Sequence, residues 1–272
     1  MEIFSHEKLS NHLIRIIDIT GVCCYLLIGT QRACLLDTCN GIGNIRKYTE
    51  TLTDKPMFVI LTHGHFDHSG GAGLFDEVYM SPIDIPVLAK NTDIDFRVAE
   101  SNRMFRLESP LCATDFVPSM VSPPQPIQDG ATFDLGGVTV QMVSVPGHTL
   151  GTMCPLIVEE RTIIFGDACG VSVFLFDEFS STVSEYRDSL CNLKQYEGQY
   201  DRIYRNHGEF YSSKGLLDNV IACCELILAG QDDHVPMPGF EVPLFMAKTL
   251  GPDGKREDGK EGNIIYSTNK LR

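Results

Sequence analysis

Short apolar runs, many of them β-branched, alternate with glycine, proline and asparagine turns along most of the 272 residues. Runs of four to eight such residues bounded by turn formers predict strands. The first group covers 12–19, 23–28 and 33–36, with turns at Thr20-Gly21 and Gly29-Thr30-Gln31-Arg32. Residues 44–52 predict a helix capped by Asn44 and stopped by Pro56, and 57–61 and 77–80 predict further strands. After an irregular stretch, strands are predicted at 131–134, 138–145, 153–158, 162–165 and 201–204, helices at 183–195 and 214–228, and a last strand at 263–267. The stretch 251–262, rich in glycine and charge, reads as a solvated loop.

The pattern breaks most sharply after 57–61, where a buried strand runs straight into Leu61-Thr-His-Gly-His-Phe-Asp-His-Ser-Gly-Gly71. Open α/β folds place their sites at such strand ends. In a segment that is still extended, His63 and His65 point the same way, as alternate residues do. Asp67 and His68 come one turn later and point elsewhere. The cluster therefore offers ligands to two adjacent metal ions rather than four to one, and Ser69 to Gly73 lead into a short helix. Three further ligand types sit just past apolar strands with glycine beside each: His148 after Gly147, Asp167 after Gly166, and His207 before Gly208. Glycine there lets the backbone bend close to an ion.

An internal echo links two parts of the chain. At an offset of 130, Gly21, Cys24, Asp37 and Cys39 fall on Gly151, Cys154, Asp167 and Cys169. Asp37 reads either as a residue orienting a ligand histidine or as the start of a turn, and Cys169 as core packing. His6, His12 and His234 have no ligand context. The region 82–128 reads either as a cap over the site or as a surface helix whose arginines, Arg97, Arg103 and Arg106, are solvated.

Composition narrows the partners. A formal charge of −14 argues against a phosphate-backbone partner. None of the ten cysteines forms a C-x-x-C pair, and several lie in apolar runs, where free thiols act as small hydrophobes. No basic and apolar leader opens the sequence and no apolar run has membrane-spanning length, so a reducing cytoplasm is expected, without membrane contact.

The pattern His63-x-His65-x-Asp67-His68, followed in order by His148, Asp167 and His207, resembles the metallo-β-lactamase superfamily over nearly the whole chain. The resemblance implies one domain over 1–272 with the αβ/βα four-layer sandwich of two pseudo-symmetric halves. It implies two divalent ions, zinc first, iron or manganese as substitutes: one on His63, His65 and His148, the other on Asp67, His68 and His207, with Asp167 bridging. It also implies a small-molecule hydrolase in which a metal-bridged hydroxide attacks and Asp67 shuttles the proton. The glyoxalase II-like and lactonase-like branches are the nearest. Glyoxalase II enzymes end in a helical domain that this tail departs from, and lactonases carry tyrosine where Gly170 stands. Aspartate rather than cysteine at 167 argues against β-lactams as the main substrate, and His65 argues against flavodiiron reductases. A small ester, thioester or lactone is expected. A phosphodiester, or persulfide oxidation on a single iron, is the alternative. Oligomeric state is not legible.

Overall fold

The computed structural model describes residues 3–105, 107–240 and 242–272. They form two compact units of mixed α/β structure, the first taking the chain up to Gln141 together with Asn206–Gly208, the second Met142–Arg205 and Glu209–Arg272.

In the first unit, β1 (Phe4–Lys8), β2 (Leu13–Asp18), β3 (Cys23–Ile28), β4 (Ala33–Leu36), β5 (Met57–Ile60), β6 (Val78–Met80) and β7 (Gln125–Pro126) lie side by side in chain order. The first four pair antiparallel through short turns, and β4 to β7 pair parallel. Parallel neighbours need crossovers. The crossover from β4 to β5 carries α1 (Ile45–Thr49), whose cap Asn44 accepts the Lys47 amide through Oδ1 at 2.9 Å. Every residue of β4 is buried, as expected of a strand covered on both faces. Ile16, Cys24, Leu26, Leu35, Val59 and Leu61 build the core there. The apolar pattern does not predict β1, because only Phe4 of its five side chains is buried. An edge strand is held by its backbone ladder, here Phe4 to Lys8 against Asp18 to Ile14.

Between β6 and β7 the chain forms α3 (Ile85–Lys90) and α4 (Ile94–Met104) and then runs mostly without regular structure. The helix that carries Arg97 and Arg103 in this region is α4, capped by Asp93 on the Phe96 amide at 2.8 Å. Its arginines have separate fates. Arg97 is buried at 1% exposure, whereas Arg103 is exposed and paired with Glu100. Arg106 lies outside the described residues. β8 (Thr132–Asp134) pairs with the beginning of β9 (Thr139–Ser144), and β9 continues into the second unit.

The second unit adds β10 (Met153–Ile157), β11 (Thr162–Ile164), β12 (Val173–Leu175), α5 (Val183–Leu193), β13 (Arg202–Tyr204), β14 (Tyr211–Ser212), α6 (Leu216–Ala229), β15 (Val235–Met237), β16 (Leu244–Met246) and β17 (Ile264–Ser267). One sheet runs β14-β13-β11-β10-β9, the other β12-β17-β16-β15. Thr182 and Glu185 box the start of α5, and Gly230 ends α6 in the left-handed region that glycine adopts freely. Leu156, Ile163, Tyr186, Leu190, Val220 and Ile264 belong to its core. The sequence echo has a counterpart in topology. β10 and β11 pair antiparallel and β11 and β13 parallel, as β3, β4 and β5 do in the first unit. Asp37 follows β4, and Asp167 follows β11 after Phe165 and Gly166. Among the described residues no helix is long and apolar enough to cross a membrane.

Candidate active site

β5 stops at Ile60 and, after five intervening residues, α2 (Phe66–Ser69) begins inside the histidine motif, in addition to the short helical turn Ala72–Leu74 that the glycines lead into as expected. Asp67 and His68 are thus helical residues. The intervening loop is pinned from outside: Asp84 Oδ2 accepts the Gly64 amide at 2.9 Å, and Asn91 Oδ1 accepts the Phe66 amide at 3.1 Å. Gly64 is required by this packing, since a Cβ there would stand 2.6 Å from the Leu88 nitrogen of α3.

Asp37 sets the electronic state of the histidines. It sits at φ +64°, a region that non-glycine residues adopt only when held there. Its carboxylate accepts the Thr62 amide at 2.7 Å, the Thr62 hydroxyl at 2.9 Å, His68 Nδ1 at 2.8 Å and Asn206 Nδ2 at 3.2 Å. A carboxylate accepts and does not donate, so the His68 proton lies on Nδ1 and the Nε2 lone pair points away. The Thr62 hydroxyl spends its proton on Asp37 and can only accept from His63 Nδ1, 3.1 Å away. That fixes the same tautomer in His63. Asp37 is therefore an orienting residue, directly for His68 and through Thr62 for His63.

The donor atoms that result converge. His68 Nε2 lies 3.1 Å from His207 Nε2 and 3.9 Å from Asp67 Oδ2, and His207 Nε2 lies 3.4 Å from Asp67 Oδ2. Ligand atoms about 2.1 Å from a tetrahedral ion are about 3.4 Å apart, so the spacing and the donor types fit a divalent cation. His63 Nε2 and His65 Nδ1 face each other at 3.1 Å, side by side as alternation along an extended segment predicts. The His63 and His68 rings are only 4.1 Å apart, so the two groups of donors adjoin. His207 reaches this cluster because Asn206–Gly208 belongs to the first unit, and Asn206 ties it there by donating to the Cys23 carbonyl at 2.7 Å.

In the second unit His148 and Asp167 are together, Nε2 to Oδ2 at 3.6 Å. The Phe174 carbonyl accepts His148 Nδ1 at 3.1 Å, which again leaves Nε2 as the donor to an ion. The neighbouring glycines serve different needs. Gly166 and Gly208 take positive φ, at +53° and +62°. At Gly147 a Cβ would lie 2.3 Å from the Tyr186 ring. Cys169 is buried in the core and its thiol is pushed well up by burial, in keeping with packing. His6 bonds the Tyr48 hydroxyl, His12 the Ile28 carbonyl and His234 the Tyr266 hydroxyl.

Arg97 is not the solvated arginine of a surface helix. Its guanidinium is buried behind the loops, donating to the carbonyls of Asn40 at 2.9 Å, Gly70 at 3.0 Å and Val117 at 3.3 Å and to Ser119 Oγ at 3.2 Å, over the Phe116 ring. Burial pushes it down to about 10. Gly70 ends α2 and Asn40 lies in the loop after Asp37, so one cation joins the two segments that carry the histidines and their orienting aspartate. A buried carbonyl left unpaired costs ~1–3 kcal/mol. Arg97→Met is accordingly expected to lower unfolding stability by about 2–4 kcal/mol, measured by urea denaturation.

A family model described as the metallo-beta-lactamase superfamily matches residues 18–203. The chain belongs to that superfamily. Human acyl-coenzyme A thioesterase MBLAC2 is 28% identical over 209 residues, covering 71% of this chain and 75% of that protein. The probable polyketide biosynthesis zinc-dependent hydrolase BaeB of Bacillus velezensis is 24% identical over 189 residues, 68% of this chain and 72% of that one. Among solved structures, the metallo-beta-lactamase from Pontibacter korlensis aligns with a TM-score of 0.60 at 14% identity, over 82% of this chain and 99% of its own. That likeness bears on the fold, which is the α/β class expected from the sequence. The chain is a metallo-β-lactamase-fold hydrolase with a small-molecule substrate and side chains suited to divalent metal. The pattern reading misses Thr62, Asp84 and Asn206, and it names Arg97 without its buried role. Thr62 and Asn206 each directly precede a ligand-type histidine, and that adjacency is the one signal that could have singled them out.

Proposed function

We propose that this metallo-β-lactamase-fold enzyme hydrolyses thioesters of the acyl-coenzyme A type, working as one domain over 1–272. In this reading His63, His65 and His148 hold one divalent ion and Asp67, His68 and His207 a second, with Asp167 shared. The observation that carries it is the convergence of Asp67, His68 and His207 with the His68 tautomer fixed by Asp37. Nitrogen and carboxylate donors without thiolate suit zinc, and iron or manganese can replace it. When bound, such ions lower the pKa of a water from ~15.7 to ~7 and polarise a carbonyl oxygen.

The chain supplies the rest. His63 and His68 present Nε2 lone pairs without reorganisation. Asp67 turns Oδ2 toward the histidine nitrogens, and its carboxylate takes the proton of the attacking water. A thiol leaving group has a pKa of about 8.5 and departs readily as thiolate, so Asp67 can release that proton to solvent rather than to sulfur. The thioesterase activity in the name of the human relative supports this substrate over a lactone or phosphodiester. Ten free cysteines, eight of them buried, support a reducing cytoplasm.

The test pairs elemental analysis with anaerobic turnover. Purified protein supplemented with zinc is expected to hold two ions per chain and to cleave acyl-coenzyme A thioesters without oxygen. One ion at most would overturn the paired site. Oxygen uptake by the iron form with glutathione persulfide, with no turnover of thioesters, would overturn the hydrolytic reading.

A further inference from the structure

Three phenylalanines in the second unit stand together on a surface that the mechanism does not use. β12 reads Val173-Phe174-Leu175, and Phe176 follows it. Val173 and Leu175 are buried in the main core. Alternation along an extended segment sends Phe174 and Phe176 to the opposite face, where both are partly exposed. Phe240 joins them from the turn between β15 and β16, with ring centroids 6.5 Å from Phe174 and 6.0 Å from Phe176, those two being 5.9 Å apart. That turn holds Pro238 and Pro243, which stiffen it, and it leaves Phe240 37% and Val242 40% exposed. Beneath lie Leu244, Met246 and Ile265. Contiguous exposed aromatic surface is unfavourable in water and marks binding sites.

Its position names the occupant. The carbonyl of Phe174 is the acceptor that orients His148 Nδ1 at 3.1 Å, so the residue that presents one ring also aims a ligand histidine. The turn after Phe176 grips the same histidine, since Ser180 Oγ donates to the His148 carbonyl at 2.9 Å while Asp177 Oδ1 accepts the Ser180 amide at 3.0 Å. The rings thus stand on the segment that orients and grips this ligand-type histidine. Phenylalanine has no hydroxyl or ring nitrogen to bond a polar group, so the surface discriminates by apolar area alone. We propose that Phe174, Phe176 and Phe240 form the seat for the hydrocarbon chain of the acyl group, and that the enzyme prefers medium and long acyl chains. The proposal rests on the thioesterase reading for its substrate and on the ring cluster for its selectivity.

Two measurements test it. In the zinc-loaded protein, kcat/KM is compared across acetyl-, butanoyl-, hexanoyl- and octanoyl-coenzyme A. A buried methylene is worth a factor of about 4, so a climb of that order per added carbon is expected until the rings are covered. In the metal-free protein, binding of the non-hydrolysable thioethers S-ethyl- and S-octyl-coenzyme A is followed by calorimetry. S-octyl is expected to bind at least about tenfold more tightly. F176A/F240A is expected to collapse both the octanoyl-to-acetyl ratio and the S-octyl preference, with zinc content retained. Should the double variant fail to fold, F240A alone, at a ring over a third exposed, is expected to lower the same ratios several-fold. A variant that keeps the wild-type chain-length profile, or a wild type without one, overturns the seat. Chain-length-dependent binding without thioester cleavage by the zinc form supports the seat and overturns the thioesterase reading.

Discussion

His68→Ala is expected to abolish uptake of one metal ion and to lower thioester turnover by at least about a thousandfold. The variant removes the nitrogen that lies 3.1 Å from His207 Nε2 and 3.9 Å from Asp67 Oδ2, and two donors remain where three converge. Lewis-acid assistance is worth several kcal/mol, and about 4 kcal/mol corresponds to about three decades in rate. The ring is also fully buried, against His63 and Asp37, so its loss leaves a hole and a carboxylate lacking a donor. Equilibrium dialysis against zinc should find one ion fewer per chain than in the wild type, and circular dichroism should still find a folded protein. Retention of the full metal complement with normal turnover would remove His68 from the ligand set.

Asp37→Asn probes the layer behind the ligands. The substitution is nearly isosteric, but it converts one acceptor oxygen into a donor. The carboxylate now receives two bonds from Thr62, one from His68 and one from Asn206, and an amide cannot receive them all. If the amide nitrogen faces His68 Nδ1, the ring must carry its proton on Nε2 and loses the lone pair that the ion needs. If it takes the place of Oδ1, it meets the Thr62 amide, donor against donor, and the bond that ties Asp37 to the start of the histidine loop is lost. Groups that orient metal-ligating histidines are worth about 10–100-fold in metal affinity. A zinc competition titration is expected to show a loss in that range, with kcat/KM falling in parallel. Asp37→Glu is expected to fall short of rescue, because the left-handed backbone at Asp37 aims a carboxylate of one length only. Unchanged zinc affinity in the asparagine variant would reduce Asp37 to the start of a turn.

The two predictions differ in how visible their residues are along the chain. His68 belongs to a motif of alternating ligand types directly after an apolar strand, and both features are local. The same holds for the capped helices at Asn44 and Asp93, and for β5 and β11, whose apolar runs end in ligand-type residues. Elements without such local signals escape the pattern. β1 is four-fifths exposed and exists through its ladder with β2. β16, three residues long, is held by its ladder with β17, which lies about twenty residues on, and β15 is held by β16 in turn. The start of α2 also eluded the pattern, since the amides of Gly64 and Phe66 are held by Asp84 and Asn91, twenty and twenty-five residues on.

By itself, the sequence determined the superfamily, the α/β class, and which histidines and aspartates stand as ligand types at strand ends, because ligand type, strand ends and glycines are encoded over a few adjacent positions. The tertiary structure decided how those ligands are prepared. Hydrogen bonds between residues far apart set which nitrogen of His63 and His68 carries the proton, and no local pattern records such partners. Folding likewise brought Asn206 and His207 to the histidine loop, 138 and 139 positions beyond His68. It also turned Arg97, an arginine on a polar-looking helix, into a buried cation between two loops. A side chain's charge is written in the sequence, but the acceptors that make its burial tolerable are assembled only when the chain closes on itself.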